Sequence, residues 1–119
     1  MRRLSFAAAA AGILAVTAAS AAFAATPNAV KIVASPTGLK YTQKVVRAHP
    51  GRIKITFVNP SALKHNVNVE KGETELGKSK TITKGTTTSY VTLKAGKYNF
   101  YCSVPGHEDA GMHGTLVVS

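Results

Sequence analysis

The stretch KYNFYCSVPGHEDAGMHGTLVVS, Lys97 to Ser119, consists of two alternating segments joined by a loop. In KYNFYC (97–102), Tyr98, Phe100 and Cys102 share one parity and Lys97 and Asn99 the other. Side chains alternate across a strand, so Cys102 points the way the core residues point. In GTLVVS (114–119), Leu116 and Val118 face one way, and extending that register back places Met112 inward and His113 outward. The connecting loop carries Pro105, Gly106 and Gly111, which let the chain turn tightly. Cys102, His107 and Met112 follow one another as Cys-x4-His-x4-Met, and Cys102 is the only cysteine in the chain.

Working outward, the preceding residues also read as short strands broken by Gly, Pro and Asn, with no helical stripe after Ala25. AVKIVA (29–34) alternates, and LKYTQKVVRA (39–48) holds one or two short strands. HPG (49–51) turns into RIKITFVN (52–59), where Ile53, Ile55 and Phe57 oppose Arg52, Lys54 and Thr56. HNVNVE (65–70) sets His65 with Val67 and Val69, and Asn66, Asn68 and Glu70 on the outward face. KGETELGKSK (71–80) has one large apolar residue and reads as a solvated loop with room for one helical turn. TTTSYVTL (86–93) is rich in β-formers. Seven or eight short strands in one domain predict an all-β antiparallel sandwich or small barrel.

His65, Cys102 and Met112 thus point inward at strand ends, with His107 on the loop between the last two. Taken singly, a buried cysteine, a methionine and a histidine are ordinary core and surface residues. The spacing leaves core filler and metal site both open. As ligands, one thiolate, two imidazoles and one thioether form a soft set that selects copper over zinc. Structural zinc sites usually take paired cysteines, and no second cysteine is present. Two histidines and a cysteine with a weak axial methionine are the ligands of blue-copper electron transfer.

The N-terminus reads MRRLSFAAAAAGILAVTAASAAFAA. Arg2 and Arg3, an apolar run from Phe6 to Ala19 and the Ala22-Phe23-Ala24 site predict a signal peptide over 1–24 and a mature domain over 25–119. Ala19-Ser20-Ala21 is a second cleavage site, and the paired arginines leave the general secretory and twin-arginine routes both open. The apolar run is too short and alanine-rich to span a membrane comfortably. The mature chain is expected to be periplasmic or extracellular and to contain no membrane span. Exported small domains usually pair their cysteines, so a single one points to a special role. Loss of Arg2 and Arg3 takes the formal charge from +10 to +8. A basic exported surface points to acidic partners. The expected export and the spread of lysines and arginines along the whole sequence, with no tight cluster, argue against nucleic acid as a partner.

NFYCSVPGHEDAGMHGTLVV (99–118) resembles the C-terminal copper loop of the cupredoxins, the small blue copper proteins of the plastocyanin and azurin type. ITFVNPSALKHNVNVE (55–70) is similar to the family's earlier segment, in which an apolar strand leads to a His-Asn pair. The loop spacing is closest to the auracyanin and rusticyanin pattern. The resemblance implies a Greek-key β-sandwich and one copper ion, with His65, Cys102 and His107 equatorial and Met112 axial. It also implies that the Asn66 side chain bonds across to the loop near Ser103 and ties the two segments together. Electrons would cross at the edge of His107, within a patch formed by Pro60, Leu63, Val104, Pro105 and Ala110, with Leu39 at its margin. His49 and His113 match no ligand position.

The function implied is one-electron transfer, by a monomer that meets acidic redox partners transiently. A periplasmic copper carrier or storage protein is the alternative. An enzyme is not expected: multicopper oxidases need His-x-His pairs and more domains, and a binuclear copper centre needs two cysteines.

Overall fold

Residues 11–15 and 27–119 are described in this computed structural model. The leader expected over 1–24 lies outside the described residues apart from 11–15, which are exposed and carry no regular structure. Among the described residues there is no helix long and apolar enough to cross a membrane.

Eight strands follow in order: β1 (Ala29–Val33), β2 (Val45–Ala48), β3 (Gly51–Asn59), β4 (Asn68–Lys71), β5 (Thr74–Lys78), β6 (Gly85–Leu93), β7 (Gly96–Tyr101) and β8 (His113–Val118). They form two sheets, β1-β3-β6 and β2-β8-β7-β4-β5. Of the seven or eight strands expected, eight are present as a sandwich, and most pairings are antiparallel. Two are parallel, β1 with β3 and β2 with β8. In both, β1 and β2 run beside strands far along the chain, a pairing that parity alone does not specify.

Parity explains the core. Ile53, Ile55 and Phe57 from β3, Ile32 from β1, Tyr98 and Phe100 from β7, and Leu116 and Val118 from β8 are all buried between the sheets. Tyr41, which forms an isolated bridge with Ala34, packs its ring on Phe100 and edge-on to Phe57. Burying such side chains contributes about 1.5–3 kcal/mol each.

Three expectations need correction. KGETELGKSK is not a loop: Thr74–Lys78 forms β5, the edge of the larger sheet. None of its side chains is buried, so it leaves no apolar alternation, and its Glu and Lys residues suit an edge strand. HNVNVE is strand only from Asn68, with His65 held before it by a bridge to Ile82. Asn66 and Asn68 are buried rather than exposed. Asn66 turns into the loops at the end of the sandwich, while Asn68 lies beside Tyr101 and donates to Glu75 Oε1 at 2.9 Å.

Candidate metal centre

β7 ends at Tyr101 and β8 starts at His113, so the loop between them sits at one end of the sandwich. The loop closes on its own backbone. His107 N–H donates to the Val104 carbonyl at 3.0 Å, and Met112 N–H to the His107 carbonyl at 3.0 Å. Cys102 N–H donates to the Met112 carbonyl at 3.1 Å, joining both ends of the loop. Gly106 (φ 82) and Gly111 (φ 114) take up left-handed backbone that other residues rarely adopt. Cys102 and Met112 are fully buried and His107 is half-buried.

His65 arrives from the other side on a segment with its own supports. Asn59, fully buried at the end of β3, accepts from Ser61 N–H at 2.9 Å and donates to the carbonyls of Leu63 (2.8 Å) and Ile82 (2.7 Å). This Asx-type turn sets the 60–64 loop. His65 then exchanges backbone hydrogen bonds with Ile82 at 3.0 and 2.9 Å. The two segments are clamped by Asn66. Its Oδ1 accepts from Ser103 N–H at 2.8 Å, and its Nδ2 donates to Ser103 Oγ at 2.8 Å and Thr81 Oγ1 at 2.9 Å. The backbone carbonyl of Asn66 accepts from the buried Tyr41 hydroxyl at 2.6 Å. Burial, and after it the nearby Cys102 sulfur, push that phenol well above its usual range, so it stays a donor.

The result is a tight cluster. His65 Nδ1 lies 3.1 Å from His107 Nδ1, and Cys102 Sγ lies 3.9 and 3.6 Å from the two nitrogens. All three donor atoms lie within 4.8 Å of one another. A point equidistant from them falls about 2 Å from each, the length of a metal–nitrogen bond. His65 is fully buried, yet its Nε2 has no hydrogen-bond partner among the described residues. A buried ring left unsatisfied by protein, with its other nitrogen aimed at two further donors, fits a ligand better than a core filler. Burial, and then the neighbouring His107, hold His65 below the usual histidine pKa, which favours the neutral ring that a metal needs. The three residues could hold one soft metal ion, with the Met112 thioether buried at the end of the same loop.

Thus His65, Cys102 and His107 come together, Met112 is buried beside them in the chain, and Asn66 reaches Ser103. Pro60, Leu63, Pro105 and Ala110 are exposed and Val104 is half-buried. His49 and His113 are both exposed; His49 Nδ1 lies 3.1 Å from the Ser119 carbonyl oxygen, at the other end of the molecule. Sequence reasoning missed Asn59 and Tyr41. The Asn-Pro-Ser run after β3 is a turn signal for the first. A lone tyrosine in KYTQK gave no signal for the second.

An all-β sandwich that brings one cysteine and two histidines together at its loop end defines the small blue copper class. The family model for copper binding proteins of the plastocyanin/azurin family matches residues 28–119, and the chain belongs to that family. Its cofactor is copper, and the donor set fits one type 1 site. Auracyanin A from the green thermophilic photosynthetic bacterium Chloroflexus aurantiacus is similar in fold, with TM-score 0.72 and 22% identity over 79% of this chain and 100% of that one. A dithionite-reduced auracyanin from Roseiflexus castenholzii gives 0.72 and 23% over 77% and 97%. A reduced amicyanin variant gives 0.58 and 25% over 79% and 85%. No curated protein matches the chain.

Proposed function

We propose that this chain is an exported carrier of single electrons, in which His65, Cys102, His107 and Met112 hold one copper ion. The observation that carries the reading is the convergence of the two Nδ1 atoms and Sγ at 3.1, 3.6 and 3.9 Å. Bound copper would supply a one-electron couple between its cuprous and cupric states. The chain's part is to keep the donors fixed, so that little rearrangement accompanies each transfer. Asn66, Tyr41 and Asn59 do this from outside the donor set. His107, the half-buried donor, offers the exchange edge, and Pro60, Leu63, Val104, Pro105 and Ala110 give it a small apolar surround for transient contact. Acidic redox partners suit the basic chain.

Full burial of His65, Cys102 and Met112 favours an electron carrier over a copper carrier, whose ligands must open to release metal. Voltammetry and copper competition separate the two. An electron carrier gives a reversible one-electron wave and keeps copper against a cuprous chelator. A carrier protein surrenders its copper to the chelator within minutes.

A further inference from the structure

The strand directions give the sandwich two unlike ends. β3, β7 and β8 place Asn59, Tyr101 and His113 at the metal end, and Gly51, Gly96 and Val118 at the other. That other end, the base, carries Arg47, Arg52, Lys71, Lys94 and Lys97, all exposed, with Lys54 one step up β3. Among the side-chain carboxylates of the described domain Glu73, in the β4–β5 turn, lies there, with Glu70 and Glu75 at the level of Lys54. Glu108 and Asp109 are in the metal-end loop. Strands β1, β3 and β6, which reach the base from the smaller sheet, contain no carboxylate. Tyr90 is half-exposed there, with the Arg52 guanidinium 4.1 Å above its ring. Arg47 and His49 also line an open groove of about 310 Å³ with Asn28 and Ser119.

We propose that this base docks on an anionic lipid surface. The complementarity is one of charge: five cations against one side-chain carboxylate, or six against three when the level of Lys54 is included, attract lipid headgroups of negative charge. An exposed tyrosine beside them suits the headgroup level. The docking has a functional consequence. β3 is nine residues long, so the base and the metal end are about 30 Å apart. A protein seated on its base presents His107 away from the lipid, open to partners, and its search for them runs along the surface. The docking itself does not depend on the ligand assignment.

The test uses the full chain, copper-loaded, with vesicles of phosphatidylglycerol and phosphatidylcholine, and with phosphatidylcholine alone. The second lipid reports any binding by the apolar run 6–19 and serves as the baseline. Arg52→Gln/Lys94→Gln/Lys97→Gln is compared with Lys64→Gln/Lys80→Gln/Lys84→Gln, which removes the same charge outside the base. An unchanged visible spectrum and melting curve show that each variant is folded. The expected result is a preference for phosphatidylglycerol that falls roughly a hundredfold in the base variant, about fivefold per cation, and less than fivefold in the other. Equal losses in the two variants would mean that net charge alone acts and would overturn the proposal. No preference for phosphatidylglycerol would overturn it too, as would capture of an acidic protein at the base by a chain that ignores vesicles.

Discussion

At the scale of single residues, the Asn66 side chain makes three hydrogen bonds, and two of them cross from one metal-bearing segment to the other. Each contributes about 1 kcal/mol net, and a truncated partner leaves buried groups unpaired. Asn66→Ala should therefore lower stability by about 2–3 kcal/mol in urea denaturation, and should also weaken the blue band by loosening Cys102 and Ser103. Tyr41→Phe keeps the ring contacts with Phe57 and Phe100 but removes the 2.6 Å bond to the Asn66 carbonyl. Its expected cost is about 1–2 kcal/mol. His65 supplies a pH dependence. Its folded pKa lies below the ordinary value of 6.5, first through burial and then through His107. The unfolded chain therefore takes up a proton that the folded chain refuses. For the copper-free protein, this contribution is fully present above 6.5 and is lost as pH falls below it. Urea midpoints at pH 7.5 and 5.5 should show the decrease, and His65→Gln should flatten it.

At the scale of elements, β7, β8 and their loop form the unit that the sequence states most clearly. Alternation in KYNFYC placed Cys102 inward, the extended register of GTLVVS did the same for Met112, and both are fully buried. Glycine marks a close approach here. A Cβ on Gly114 would meet the ring of Phe100 and lie 2.7 Å from the Lys44 carbonyl oxygen, an acceptor for Thr115 N–H. Gly114→Ala must push β2 from β8 or displace Phe100, at a cost of about 1–3 kcal/mol or more. A fall in melting temperature of several degrees checks it, with Gly38→Ala, where a Cβ would make only ordinary contacts, as the silent control. Elsewhere the elements were harder to read. β5 has no buried side chain, so hydrophobic period carried no information about it. Asn68 obeys strand parity but is buried by Tyr101 and Glu75, which come from neighbouring strands. The supports at Asn59 and Tyr41 act across 23 and 25 residues of sequence, a separation at which local pattern is silent.

At the scale of the whole molecule, the formal charge, +10 for the whole chain and +8 without Arg2 and Arg3, predicts that association with an acidic redox partner slows as salt rises. Stopped-flow rates at 10 and 200 mM salt should differ at least several-fold, with the dissociation rate much less affected. Metal binding should also stabilise the fold, because the donor triangle is assembled only when β7, β8 and the His65 segment are in place. Removal of copper should lower the melting temperature, and reloading should restore it.

The central claim is that Cys102, His65 and His107 share one copper ion. The most direct measurement is the visible and electron paramagnetic resonance spectrum of the copper-loaded chain beside Cys102→Ala. The account predicts an intense blue band and narrow copper hyperfine splitting, both absent in the variant. A pale protein, or a spectrum that Cys102→Ala leaves unchanged, would contradict it.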